Sequence, residues 1–304
     1  MAGPPDLLAG SATGSIYDLG YRGYDGPRLG RRHAVEALYR HGLRASFGLG
    51  RSARAKIAPL VVGVLIALPA VVGVGIGAVA GGLVAHANPI TVEGYLAYAQ
   101  TLLVFFVAAQ APELLVGDRR HGVLTLYFSR ALERVDYALA KYLAFLTAVA
   151  LVLALPQAIL LLGTLFATSD LGAGLGEVAP RVWPVVGRTV VIAALLAGVG
   201  LVASAFTTRR AFAAGTTIAA FLVSSGVVTV LVNRVGLRGP LTLAALADPF
   251  ALMDGVSSFL FGVEPTMPAI RRTDLPVELF AATAVAVALA CLAILVLRYR
   301  RIPA

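Results

Sequence analysis

The sequence predicts an all-α membrane protein with six transmembrane helices, and two observations carry that prediction. Of the 304 residues, 59% are hydrophobic and only 13% are charged, whereas a soluble domain usually carries about 25% charged residues. The chain also contains six stretches without Asp, Glu, Lys or Arg. Each stretch approaches or exceeds the roughly 20 residues that a helix needs to cross a bilayer, so lipid is the expected solvent for much of the surface.

The six predicted spans are bounded by charged residues. They lie between Lys56 and Glu93, Glu93 and Glu113, Lys141 and Asp170, Arg188 and Arg209, Arg210 and Arg234, and Glu278 and Arg298. Pro69 and Pro156 fall inside spans, where a proline kinks a helix without excluding it. Ionisable residues inside a membrane usually mark proton or ion pathways. Since these limits enclose no Asp, Glu, Lys or Arg, the sequence argues against a proton-driven transporter or an ion pump.

Positive charge is distributed unevenly between the two sides of this arrangement. If the chain starts in the cytoplasm, the inside segments are 1–56, 113–141, 207–210 and 298–304, and they hold nineteen of the 25 Lys and Arg residues. Cytoplasmic loops carry such an excess in membrane proteins. We therefore expect a multi-pass protein of the plasma membrane with both ends in the cytoplasm. Topology and anionic lipid, rather than nucleic acid, then account for the net charge of +9.

Two parts of the chain are predicted. Residues 1–56 form a cytoplasmic tail with an interfacial amphipathic helix, and residues 57–304 form the six-helix transmembrane domain. Within 31–56, charged residues recur every four positions from Arg32 to Arg44, and apolar residues lie away from that row. A helix of this kind can lie in the surface of a membrane.

The long outer loop, 234–277, is the largest predicted segment outside the spans and the cytoplasmic tail. Its part 241–262 is apolar enough to dip into the outer leaflet or to pack on the spans. In this outer loop, Asp248, Asp254 and Glu264 are the only modest candidates for the chemistry of a membrane-embedded enzyme.

A stripe of small residues marks the first span. Gly73, Gly77 and Gly81 are spaced by four, so they share one helix face and let another helix approach closely. That helix belongs either to the same chain or to a second subunit, and the spacing alone leaves both possibilities open.

The charged loop 113–141 between the second and third spans carries the most informative pattern. Leu124, Tyr127 and Phe128 have the spacing of one apolar helix face, and Gly122 can start or break a helix. The arginines around that face are Arg119, Arg120, Arg130 and Arg134. A short helix of this kind is suited to docking in the groove of a partner. The alternative is an ordinary positive loop whose aromatic residues face lipid.

The sequence lacks the usual signs of bound nucleotide or metal. It contains no G-x-x-x-x-G-K-[ST] phosphate loop, so ATP binding of that type is not expected. Its four histidines show no metal-ligand spacing, and its one cysteine, Cys291, cannot form a disulfide within the chain. We therefore expect neither an enzyme nor a cofactor in this chain.

The loop resembles the coupling segment of ABC-2 type permeases, the membrane subunits of ATP-driven exporters. That segment is similar to E-R-x-x-G-T-L-x-x-L-L-x-x-P-x-x-R followed by a Gly-Lys pair. The matching positions here are Asp118, Arg119, Gly122, Leu124, Arg134 and Lys141, whereas Val123, Ala131 and Ala140 replace the Thr, Pro and Gly. Six spans, an interfacial helix and a long outer segment before the sixth span also resemble the family's layout, and residues 17–28 resemble the start of actinobacterial permeases.

The resemblance implies a permease that pairs with a second permease and with two ATPase subunits, which bind the ATP and Mg. The coupling residues it implies are Arg119, Gly122, Leu124, Tyr127, Phe128 and Arg134. The charge-free spans favour an amphipathic or lipid-like substrate, and the family resemblance implies export. A membrane scaffold or assembly factor and a membrane-embedded lipid-modifying enzyme stay open as alternatives.

Overall fold

The computed structural model of the protein describes residues 26, 29–50, 53–80, 90–129, 132–167, 170–236 and 239–301, and every regular element in these ranges is helical. The helices are α1 (Arg31–Ser46), α2 (Ala53–Ala80), α3 (Tyr95–Arg120), α4 (Leu124–Phe128), α5 (Arg134–Ala167), α6 (Leu171–Ala205), α7 (Arg210–Val230), α8 (Pro249–Phe261), α9 (Pro268–Arg271) and α10 (Val277–Arg300). A π-helical turn, Leu231–Val235, extends α7, and a 3-10 helix, Gly239–Ala247, precedes α8.

Six of these helices, α2, α3, α5, α6, α7 and α10, are long and apolar enough to cross a membrane. The predicted all-α class is thus confirmed for the described residues, and by length and composition these six helices match the predicted number of spans. The bent pair of the 3-10 helix and α8 would add a seventh if the two helices together form one span. The limits of the spans differ from the prediction, because α5 and α6 continue through charged residues. Lys141 lies within α5 and Arg188 lies in the middle of α6, and both are buried against partners that satisfy their charged groups.

The interior of the bundle is built around α3 and α6. In their most apolar stretches, 72% of the residues of α3 and 61% of those of α6 are buried, against 22% in α2 and in α7. Small residues bring the two inner helices together. Gly200 of α6 faces α3 so closely that a methyl group there would lie 3.1 Å from Cβ of Ala111. The outer helices α2 and α7 therefore leave wide apolar faces on the surface.

The two ends of the bundle are distinct. One end holds α1, α4, the turn between α6 and α7, and the last turn of α10. Three contacts join these segments: Arg31 with Asp136, Arg119 with Thr207, and Arg298 with Phe206. We call this the α4 end. At the opposite end, the α8 end, the 3-10 helix and α8 meet at a bend of 92°, and α8 packs on α6 and α10. Packing on the spans is one of the two arrangements expected for residues 241–262.

Helix α1 is amphipathic as predicted, and its apolar face lies on this chain's own helices. Leu38 is buried, whereas Arg40 on the opposite face is exposed. Gly42 permits a close approach to α5, since a methyl group there would lie 2.9 Å from Cβ of Ala144, and Tyr39 donates a hydrogen bond to Thr147 at 3.1 Å. The helix is shorter than the predicted 31–56, because the chain turns after residue 46 to enter α2.

The predicted glycine stripe of the first span does not lie along a single neighbouring helix. Gly73 is buried, whereas no described residue occupies the space where a side chain at Gly77 would project. Gly81 lies outside the described residues. The close contact between α2 and α5 is made from the other side, by Gly163 of α5, which faces Val74 of α2.

Candidate functional site

Helix α4 and the turn before it form the centre of the predicted coupling loop. The backbone at Gly122 has φ +64°, a left-handed conformation that costs glycine little and other residues more. This turn ends α3 and lets the chain start again in a new direction. The hydroxyl of Thr125 donates to the carbonyl oxygen of Gly122 at 3.1 Å and holds the first turn of α4.

The apolar face of α4 points into the bundle. Leu124 is buried, and the rings of Tyr127 and Phe128 lie 5.8 and 6.0 Å from the ring of Tyr137 in α5. Burial, with a further contribution from the charge of Asp118, raises the pKa of the Tyr127 hydroxyl. The three residues predicted to contact a partner therefore share one face, as expected, and that face contacts this chain's own helices.

A groove of about 490 Å³ lies between α1 and α4. Its lining residues are mostly apolar: Ala34, Ala37, Leu38, His41, Val123, Leu126, Tyr127 and Leu132. Leu126 is 65% exposed, so it presents apolar surface at the side of the groove. A helix or loop of another protein could bury this surface, and this groove is the candidate functional site.

An ion-pair cluster fixes the geometry of the groove at the start of α1. Arg31 donates from Nε to Asp136 of α5 at 2.7 Å and also pairs with Glu133. The hydrogen bond with Asp136 raises the pKa of Arg31 against the opposing effect of burial, and the nearby charges of Asp136 and Glu133 raise it further. The cluster ties α1 to the segment between α4 and α5, so the two walls of the groove are linked.

A buried polar cluster lies beneath α4, where α3, α5 and α10 meet. Lys141 is 3% exposed at its side chain, and its Nζ lies 2.8 Å from Oδ2 of Asp118 and 2.9 Å from the carbonyl oxygen of Leu114. The hydroxyl of Tyr137 donates to the same carboxylate at 2.8 Å. The ring of Tyr299 in α10 lies 5.0 Å from that of Tyr137. The cluster thus joins the wall of the groove to three spans.

The two arginines predicted for the coupling site have separate tasks. Arg119 donates to the carbonyl oxygens of Ala205 and Thr207, so it caps the end of α6. Arg134 lies over the ring of Phe128, 5.8 Å from its centre, and its Nε is buried without a hydrogen-bond partner among the described residues. Neither guanidinium lines the groove, although both hold the segments that form it.

A second polar cluster, near the α8 end, was missed by sequence reasoning. Arg188 of α6 is fully buried. It donates to Gln157 of α5 at 3.1 Å and to the carbonyl oxygens of Val92 and Glu93 at 2.8 and 3.0 Å, and it lies 4.5 Å from the ring centre of Phe261. The only signal was Arg188 itself, which we used as the limit of a span rather than as part of one.

The acidic residues considered for an enzyme have structural partners. Asp248 accepts a hydrogen bond from the backbone N–H of Phe250 and caps α8, and Asp254 accepts from the backbone N–H groups of Thr266 and Met267 at 2.7 and 2.8 Å. Glu264 is exposed. In the part of the chain that the structure describes, no three His, Cys, Asp or Glu residues are grouped to hold a metal.

Comparison with known proteins adds no identification. No protein family model matches the chain, and no curated protein is similar to it in sequence.

Proposed function

We propose that this protein is the permease subunit of an ABC-2 type transporter, which exports an amphipathic or lipid-like substrate. A separate ATPase would supply the energy, binding ATP and Mg, and a second permease would complete the pathway. The observation that carries the proposal is the groove between α1 and α4. It combines exposed apolar surface with firm connections to the spans, as a docking site that transmits movement requires.

The connections of the groove support a mechanical role. One wall, α1, is tied to α5 by the Arg31–Asp136 ion pair and the Tyr39–Thr147 hydrogen bond. The other wall, α4, rests on Tyr137, which is bonded to Asp118 of α3. A partner seated in the groove would therefore push on α3 and α5 together. Binding energy that differs between two states of the partner is sufficient to shift the spans between two arrangements.

The apolar contacts of the groove would supply most of the affinity. Interface energy is usually concentrated in a few central residues that become fully buried. Leu126 is the strongest candidate, because it lines the groove and is largely exposed in the isolated chain. Charged residues around the site, such as Arg120 and Glu133, would instead influence the rate of association and its dependence on salt.

The test replaces exposed groove residues without disturbing the face that packs inward. We expect Leu126→Asp and Ala37→Asp to abolish Mg-dependent ATP hydrolysis that co-purifies with the inserted chain. Leu49→Asp is the matched control, because Leu49 is 50% exposed at the same end and does not line the groove. Full co-purifying hydrolysis in both groove variants would show that the ATPase does not bind there.

The two alternative classes give different results in the same experiment. A scaffold would lose a bound protein in the groove variants, but that protein would not hydrolyse ATP. A lipid-modifying enzyme would keep its activity in the groove variants and lose it on replacement of an acidic residue near α8, such as Glu264.

A further inference from the structure

The turn between α6 and α7 gathers four arginines from three parts of the chain. Arg209 is the last residue of the turn, and Arg210 is the first residue of α7. Arg119, at the end of α3, donates to the carbonyl oxygen of Thr207 at 3.3 Å. Arg298 of α10 lies over the ring of Phe206, 5.3 Å from its centre. We call these four residues the arginine cluster.

The positive charge of the arginine cluster is only partly neutralised. Arg210 pairs with Glu113 at 2.6 Å, whereas Arg119 is bonded to neutral carbonyl groups. Arg209 lies over the ring of Phe212 at 5.7 Å. Nε of Arg298 is buried and has no hydrogen-bond partner in the described parts of the chain. Among the described residues, neither Arg209 nor Arg298 has a carboxylate partner, so the cluster carries a surplus of positive charge.

An apolar groove starts beside the arginine cluster and runs along α7, away from the turn and towards the middle of that helix. It has a volume of about 390 Å³, and its lining residues are Ala211, Phe212, Gly215, Thr216 and Ala219. Eight residues of α-helix separate the first and last of these positions, which corresponds to about 12 Å along the axis. Two exposed phenylalanines connect the groove to the cluster. Phe212, 62% exposed, lines the groove and lies beneath Arg209, and Phe206, 60% exposed, lies beneath Arg298.

We propose that the arginine cluster and this groove bind one anionic phospholipid. The phosphate would lie against Arg209 and Arg298, and one acyl chain would occupy the groove along α7. The depth is suitable, because a four-residue turn between two membrane-spanning helices must lie at the level of the lipid headgroups. Arginines bind phosphate strongly through charge-assisted hydrogen bonds, and basic sites between spans are known to hold anionic headgroups.

Charge favours a phospholipid over a second copy of the chain. A symmetric dimer through α7 would place the same surface of both copies together, so that two arginine clusters would meet and repel each other. A free phosphate would satisfy the arginines but would leave the groove empty. A phospholipid matches both features, and its binding does not depend on whether an ATPase docks beside α4.

The experiment compares lipid binding by variants of the purified full-length chain, measured by native mass spectrometry and by thermal shift. We expect phosphatidylglycerol to bind at least tenfold more tightly than phosphatidylcholine. Arg209→Gln with Arg298→Gln should weaken phosphatidylglycerol about 25-fold, or about fivefold for each arginine near the membrane surface. Arg234→Gln, at the α8 end, is the control for loss of an exposed arginine.

A glycine pair tests the groove separately from the charge. Gly215 and Gly226 both lie on α7, and no other residue that the structure describes fills the space where a side chain would project. Leucine therefore fits at either position without strain. Gly215→Leu fills the groove and should weaken phosphatidylglycerol several-fold, whereas Gly226→Leu should bind it as the wild type does.

Three results would overturn the proposal. Glycerol phosphate that competes as well as the intact lipid would indicate an adventitious anion only. A change of oligomeric state in Gly215→Leu, with lipid binding unchanged, would assign the groove to a second copy of the chain. Equal affinity for phosphatidylglycerol and phosphatidylcholine in the wild type would show that the arginines do not select the headgroup. If the double arginine variant fails to fold, the glycine pair still decides.

Discussion

Arg188 of α6 and Gln157 of α5 are hydrogen-bonded through Nε and Oε1 at 3.1 Å, although each lies inside a helix that is long and apolar enough to span a membrane. The same guanidinium holds the backbone carbonyl groups of Val92 and Glu93, just before α3. One side chain thus joins three spans near the α8 end. A buried charge in a membrane protein is costly unless its donors are satisfied, and here neutral oxygens satisfy them.

The first prediction concerns this Arg188 network. Arg188→Met should lower the free energy of unfolding by about 2–4 kcal/mol, because each buried acceptor left without a donor costs about 1–3 kcal/mol. Arg188→Lys should recover only part of the loss, since an ammonium group lacks the planar fork of a guanidinium. Thermal unfolding in detergent measures both.

In the control, Arg181→Gln removes a partly exposed ion pair and should cost at most about 1 kcal/mol. Wild-type stability of Arg188→Met would refute the prediction.

The second prediction concerns the buried pair of Asp118 and Lys141. Asp118→Ala leaves the buried ammonium of Lys141 without its counter-charge and should destabilise the protein by about 3–5 kcal/mol. Lys141→Met should cost less, because the carboxylate of Asp118 keeps the hydroxyl of Tyr137 and partial contact with solvent. The double variant should be more stable than the sum of the single effects predicts. A double-mutant cycle measures this coupling, and strict additivity would mean that the pair does not interact.

The number of spans could be predicted from the sequence, but their limits could not. Six charge-free runs correspond to six long helices, because a lipid-facing stretch tolerates little charge. The same rule placed the limits of the third and fourth spans at Lys141 and Arg188. Both helices continue past these residues, because distant partners satisfy the charges. A single sequence does not show which charged residue has such a partner.

The candidate site could also be predicted only in part. The spacing of Leu124, Tyr127 and Phe128 indicates one helix face, and the structure has them on one face. Spacing does not show what covers that face. In the structure it is covered by Tyr137, which lies nine residues after Phe128 in the chain. The groove depends on α1 and α4, which are about 90 residues apart in the chain, lying on either side of one space, and no local pattern indicates that arrangement.

The third prediction is a pH dependence at the α8 end. Burial opposes the ionisation of Glu93, but hydrogen bonds from its backbone N–H and from Arg181 outweigh this effect and lower the pKa of the carboxyl. The ionised pair therefore stabilises the protein above the ordinary glutamate pKa of about 4.3. That stability is lost as the pH falls through the lowered pKa.

Thermal unfolding at pH 7 and at stepwise lower pH, for the wild type and for Glu93→Gln, checks this dependence. The wild type should be the more stable protein at pH 7, and its advantage should shrink as the pH falls below about 4. An advantage that stays constant down to pH 3 would show that the charge of Glu93 does not contribute. Arg181→Gln should reduce the same advantage, because it removes the hydrogen bond from the partner.

The fourth prediction separates two kinds of glycine in the spans. Gly200 is packed against α3, and a methyl group there would lie 3.1 Å from Cβ of Ala111 and closer still to Val107. Gly200→Ala should therefore cost about 1–3 kcal/mol of stability through overpacking. Gly77 has open space among the described residues, so Gly77→Ala should instead stabilise the chain by about 0.5–1 kcal/mol, because alanine is the better helix former. Unfolding measurements on the two variants should give opposite signs.

The same difference makes Gly77 the suitable position for testing assembly with a second permease. Gly73 is buried within this chain, so a larger residue there would disturb the monomer and obscure the result. Gly77→Leu should not destabilise the monomer, because leucine meets open space there and is a better helix former than glycine. It should lower the fraction of dimer seen by cross-linking in membranes, because the leucine would separate two helices that meet at glycine. Gly75→Leu is the control, because Gly75 also has open space among the described residues but lies off the stripe. If Gly77→Leu forms as much dimer as the control does, the stripe faces lipid, and the second permease contacts another surface.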